Sequence, residues 1–116
     1  MTSTAKQFDY HDFKWRLGEN TELMKVVVSE FLNEAYSFLE AIEDEVTAKN
    51  WNQVAPLAHK VKGASSEVSS LYLPSLAKKL ELAARDELVD EVLLYKADLK
   101  KHFDALAEEM RVEFDL

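Results

Sequence analysis

From Asn20 onward, apolar residues return every three, four or seven positions, and no long stretch interrupts them. Met24, Val27, Phe31, Phe38, Ile42 and Val46 form one such series, and Leu88, Val92, Tyr95, Leu99, Phe103, Leu106 and Met110 form another. A helix turns about 100° per residue, so this spacing lays an apolar stripe along one face, whereas a half-buried strand needs strict alternation. The 116 residues include only two Gly and two Pro, the strongest breakers of helices. The fold class is therefore all-α.

Local signals divide the chain into helices. Asp9 can cap a short helix that runs to about Leu17, with Gly18 as its stop. A long helix begins at Asn20 or Thr21 and ends near Lys49-Asn50. A third starts near Trp51 and carries Val54, Ala58, Val61, Ser65 and Val68 on one face. "SSLYLP" ends it, because Ser69 or Ser70 can cap a new helix and Pro74 is tolerated only near a helix start. The fourth helix carries Leu73, Leu76, Leu80 and Ala83 or Ala84, and the last begins near Glu87. Four long helices joined by short connections predict an antiparallel four-helix bundle over about residues 20–114, with an additional short N-terminal helix in residues 1–19 as a lid. At this length the expectation is one domain, 1–116. Pro56 lies inside the third helix and predicts a bend or a later start.

Charge narrows the partners. Fourteen Lys and Arg against 22 Asp and Glu give a formal charge of −8, which repels a phosphate backbone, so no nucleic acid is expected. With no Cys there are no disulfides and no thiolate metal sites. No apolar run approaches a bilayer span, and the first residues do not resemble a signal peptide, so no membrane association and a cytoplasmic location are expected. His11, His59 and His102 fall on three different helices without i,i+4 pairing, and no metal site is expected among them.

His59 lies two positions before core Val61, about 160° from the centre of the buried face. It should face water. The same stripe holds Ala55, Lys62, Gly63 and Ser66. A glycine inside a helix costs about 1 kcal/mol relative to alanine, so Gly63 needs a reason. Four residues after His59, it leaves one flank of the imidazole open to a phosphoryl group or a partner's backbone. Between Val46 and Ser66 there is no Asp or Glu, although Lys49, Lys60 and Lys62 are present. These ammonium groups disfavour a second positive charge on the ring and would offset an anion attached to it. A neutral, exposed imidazole of this kind can serve as a nucleophile in phosphoryl transfer.

"AHKVKG", Ala58 to Gly63, resembles the motif of histidine phosphotransfer (HPt) domains, the four-helix phosphocarriers of multistep two-component phosphorelays. Phe31, Val68 and "LAKKLELAAR", Leu76 to Arg85, with its Leu80-Glu81 pair, extend the resemblance over roughly residues 20–110. The resemblance implies that His59 accepts and donates the phosphoryl group, that Lys62 stabilises its oxygens and that Gly63 permits access, with Lys60, Ser66 and Ala55 at the rim and Ser65 either there or packed inward. It implies receiver domains of hybrid sensor kinases and response regulators as partners and no cofactor, the Mg²⁺ being held by the receiver. The residues leave the oligomeric state open, with a monomer the simplest expectation. Many family members have a glycine ten residues after the histidine, where this chain has Ser69. With only Gly18 and Gly63 the chain has no glycine-rich ATP loop, so no autokinase activity is expected.

Two other readings of the residues stand beside this one. A helical docking module would bind a signalling partner without phosphate on His59. A small enzyme would use His59 as a general base, but needs an orienting carboxylate, which residues 46–66 lack, and a concave pocket. The acidic runs Glu43–Glu45 and Glu108-Glu109 read as solvated faces.

Overall fold

The computed structural model describes residues 6–116; the first five residues of the expected N-terminal segment lie outside that range. Five helices follow in order: α1 (Tyr10–Arg16), α2 (Thr21–Thr47), α3 (Trp51–Glu67), α4 (Leu73–Arg85) and α5 (Val89–Phe114). The last four form the bundle. α3 packs between α2 and α4, and α5 closes the ring against α4 and, less extensively, α2. Val28, Ile42, Val54, Ala58, Val61, Leu80, Val92, Leu99 and Leu106 are fully buried in one continuous core. Burying such side chains contributes about 1.5–3 kcal/mol each for the larger aliphatic ones.

The helix starts follow the chemistry of their first residues. Asp9 accepts a hydrogen bond from the Asp12 amide at 3.0 Å, and Asn20 accepts one from the Leu23 amide at 3.0 Å. Each satisfies a donor that the helix itself leaves open. α4 differs from expectation. Its cap position is Tyr72, which makes no side-chain cap bond, while the Ser70 hydroxyl accepts from the Leu73 amide at 3.3 Å. α5 also starts later than expected, and Leu88 at its cap is 43% exposed rather than core. α3 begins at Trp51 and continues through Pro56, so the proline does not delay the helix.

The helix ends share one device. After α1, α2, α3 and α4 the chain enters the left-handed region at Gly18, Lys49, Ser69 and Glu87, with φ of 63°, 62°, 59° and 53°. At each, two backbone amides fold back onto the last turn in the Schellman pattern. After α3, for example, the Ser69 amide donates to the Ser66 carbonyl at 3.2 Å and the Ser70 amide to the Ser65 carbonyl at 3.1 Å. Only the first of these four positions is a glycine. Glycine is thus absent from three turns that favour it and present inside α3, where the backbone makes no such demand.

α1 closes one end of the bundle. Phe13 is fully buried, and its ring meets Phe8 and Phe114 edge-on at centroid distances of 5.5 and 6.2 Å. The strand-like residues before α1 pair with the α3–α4 connection: the Leu71 amide donates to the Gln7 carbonyl at 2.9 Å, and the Asp9 amide to the Ser69 carbonyl at 3.0 Å. Arg16 donates to the Ser66 carbonyl and to Ser69 Oγ, both at 3.1 Å, and Ser69 Oγ donates to Asp12 Oδ2 at 2.7 Å. α3 has no basic residue in its last turn, and Arg16 brings a cation to its negative end from another helix.

Candidate functional site

His59 stands midway along α3 with its side chain 63% exposed. Val61 and Ser65 face the opposite way and are fully buried, with the Ser65 hydroxyl donating to the Val61 carbonyl at 2.7 Å. Gly63 is exposed, and a Cβ built there would meet nothing within 4 Å. The flank of the imidazole toward the helix C-terminus is therefore open, and so is the space a larger residue at position 63 would fill.

The surroundings of the ring differ from what residues 46–66 alone predict. Glu81, on α4, is 3% exposed, and its Oε1 lies 3.3 Å from His59 Nδ1. Its other oxygen accepts from Arg85 Nη2 at 2.6 Å. The basic island thus contains one buried carboxylate, held between an imidazole and a guanidinium. An ionised carboxylate can only accept, so Nδ1 is the donor in this contact, and in the neutral ring the lone pair is then on Nε2. The arginine partner compensates the burial of the Glu81 charge.

Other expected residues take separate positions. Lys62 is half-buried and Ser66 exposed, with the Ser66 hydroxyl donating to the Lys62 carbonyl at 2.8 Å. Lys60 is exposed, and its ammonium lies over the Phe38 ring of α2, 5.7 Å from the centroid. Ala55 is not on an exposed stripe: it is 5% exposed, because α4 packs over that flank of α3 and widens the buried arc. It nevertheless lines an open groove of about 600 Å³ between α3 and α4, together with Trp51, Pro56, His59, Ala84 and Arg85. Glu81 and Arg85 were not among the residues read from the sequence as site candidates. Their signal was available in the i,i+4 spacing of opposite charges beside core Leu80.

Among the described residues, no group of three or more His, Cys, Asp or Glu could hold a metal ion, and no helix is long and apolar enough to cross a membrane. His11 is exposed on α1, and His102 on α5 is half-buried with Nδ1 2.9 Å from Gln7 Oε1. Neither lines the groove beside His59.

The family model of the Hpt domain matches residues 26–110, well over half of the chain. The chain belongs to the Hpt domain family. Hpt domains are helical phosphotransfer modules of two-component phosphorelays, and they work with receiver domains. The matched span of this Hpt domain runs from α2 to α5 and takes in His59, Gly63, Glu81 and Arg85. Comparison with curated proteins gives no match, and neither does comparison with solved structures.

Proposed function

We propose that this Hpt domain accepts a phosphoryl group on His59 from the phosphoaspartate of one receiver domain and passes it to the aspartate of another. The observation that carries the proposal is the exposed imidazole whose Nδ1 is engaged by Glu81, which leaves Nε2, the ring nitrogen farther from the backbone, as the free nucleophile. In the loading step Nε2 attacks phosphorus, the N–P bond forms, and the bond from phosphorus to the aspartyl oxygen breaks with the carboxylate leaving. The Nδ1 proton stays in its hydrogen bond to Glu81, and the negative carboxylate stabilises the positive charge that the ring gains. In the unloading step the imidazole leaves as the neutral ring and the second carboxylate takes the phosphorus. Catalysis by position and charge suffices for such transfers.

Lys62 is assigned to the phosphoryl oxygens and Gly63 to the space through which the receiver approaches. Lys60 and Ser66 belong to the rim, and Ala55 to the floor of the adjoining groove. The Mg²⁺ and the acidic pocket are the receiver's. The domain acts in this reading as a monomeric carrier in the cytoplasm and does not phosphorylate itself from ATP, since Gly18 ends a helix and Gly63 lies within one, so neither forms a nucleotide loop.

The test is phosphoryl transfer from a phosphorylated receiver domain to the wild-type chain and to His59→Gln. The expected product is an acid-labile, alkali-stable label on the wild type and none on the variant. A label that persists in His59→Gln, or receiver binding without any label on either protein, overturns the proposal, the latter in favour of a docking module.

A further inference from the structure

A carrier has to keep its phosphoryl group between two encounters, and this site does not do so by shutting out water. The His59 side chain is 63% exposed, and the space beside it at Gly63 is open. The lifetime of the loaded state then depends on how well the ring leaves. In hydrolysis the oxygen of water bonds to phosphorus, the N–P bond breaks with its electron pair returning to Nε2, and the attacking water loses a proton to solvent. With a proton on Nδ1 the ring departs neutral. Without one it departs as an anion, which is far slower, so the charge that faces Nδ1 controls the loss.

That charge is Glu81, 3% exposed, with Oε1 at 3.3 Å from Nδ1. Arg85, one turn further along α4, donates from Nη2 to the other oxygen at 2.6 Å. Among the described residues, His59 and Arg85 are the two side chains bonded to this carboxylate. They act on it in opposite senses. The carboxylate favours a proton at Nδ1, and the guanidinium lowers the hold of the ring and carboxylate together on that shared proton. Of the other charges that line the groove, Lys60 of α3 acts in the sense of Arg85, and Glu87, just past α4, acts against it. Lys62 of α3 adds to the cations. On the α2 side, Glu30 and Glu34 lie with Glu67 around a separate groove at Ala64 and Val68.

We propose that Arg85 is a positioning residue that sets how long the phosphoryl group stays on His59, by sharing the Glu81 carboxylate with the ring. The proposal rests on the phosphotransfer reading and adds the means of retention. Glu81 keeps the ring ready to leave, and Arg85 restrains it. The two residues are one turn apart on one helix, and their removal has opposite effects.

The wild type, Arg85→Met, Arg85→Lys and Glu81→Gln are loaded with phosphoramidate, which phosphorylates imidazoles without a protein partner, and His59→Gln gives the label due to His11 and His102. Loss of phosphohistidine after removal of the reagent is followed by phosphorus NMR across pH 5–9, and circular dichroism checks that each variant is folded. Where the rate declines with pH, one unit of displacement is tenfold in lifetime. Glu81→Gln is expected to keep the group about tenfold longer, with its decline displaced about one unit toward acid, the least that a close opposite charge supplies. Arg85 is 60% exposed and partly screened, so Arg85→Met should lose the group about threefold faster, with its decline displaced about half a unit toward alkali. Arg85→Lys should fall between Arg85→Met and the wild type. Equal lifetimes of Arg85→Met and the wild type overturn the proposal, and so do displacements of the Arg85 and Glu81 variants in the same direction, which mean a loosened site. Should Arg85→Met not fold, Arg85→Lys decides by the same criteria. Lifetimes are read without a receiver, so they are independent of the final step, in which the loaded wild type is offered to a panel of receiver domains with Mg²⁺. Failure to discharge into any of them overturns the phosphotransfer reading itself.

Discussion

Ser69 offers a stability test in which two small substitutions separate backbone strain from hydrogen bonding. Its φ is 59°, a region where a side chain costs about 1–2 kcal/mol and glycine costs little. Against that cost stand two bonds of its hydroxyl, donated to Asp12 at 2.7 Å and accepted from Arg16 at 3.1 Å. Bonds to charged groups are worth about 1.5–3 kcal/mol when buried, but Arg16 and Asp12 are 41% and 48% exposed and still pair with each other, so about 1–2 kcal/mol for both together is the expectation. Ser69→Ala loses the bonds and keeps the strain, and should unfold about 1–2 kcal/mol more easily. Ser69→Gly loses the same bonds but relieves about 1 kcal/mol of strain, and should lie near the wild type. Urea denaturation and thermal melts measure both, with the alanine variant about 4 °C below the glycine variant in Tm. If alanine equals or exceeds glycine, the left-handed turn is not strained; if alanine equals the wild type, the hydroxyl network does not hold it.

Three further outcomes are expected. Gly63→Gln should raise helix stability by up to about 1 kcal/mol, because nothing lies within 4 Å of the new Cβ, and should slow phosphoryl transfer from a receiver; a transfer rate equal to wild type would refute the access role. Glu81→Leu should leave His59 without its fixed tautomer and Arg85 without its partner, and lower the transfer rate at least tenfold while circular dichroism stays helical. Unchanged kinetics would detach Glu81 from the chemistry. Leu80→Ala, at a fully buried position, should cost about 2–5 kcal/mol in denaturant unfolding, and a smaller change would mean that the α4 core site collapses around the loss.

The sequence was most legible where physics is local. Asp9 and Asn20 announce their helices because a short acceptor before an apolar series meets free amides, and both make the expected bonds. The face of α3 was legible for the same reason: Val54, Ala58, Val61, Ser65 and Val68 share one side and are all buried. Ala55 shows the limit of a single stripe, since α3 is covered by α2 on one side and α4 on the other, and only the tertiary arrangement sets how wide the buried arc becomes. Glu81 shows another limit. A charge count within residues 46–66 finds only cations, yet the carboxylate nearest to His59 arrives from 22 residues further on. Ser69 stood out as a departure from a familiar glycine, but that the backbone keeps the left-handed turn, with partners supplied by α1, depends on residues more than 50 positions away.

The aromatic contact between Phe8 and Phe114, with ring centroids 6.1 Å apart, bears on the order in which the chain folds. Contacts between neighbouring helices close short loops, whereas this one closes nearly the entire chain, and the entropy of closure grows with the loop. The helices of the bundle can therefore assemble before α1 arrives. Until it does, Ser69 lacks Asp12 and Arg16, and its left-handed backbone has no side-chain support. On that order, the connection between the helix that carries His59 and the one that carries Glu81 gains its side-chain support only when α1 docks.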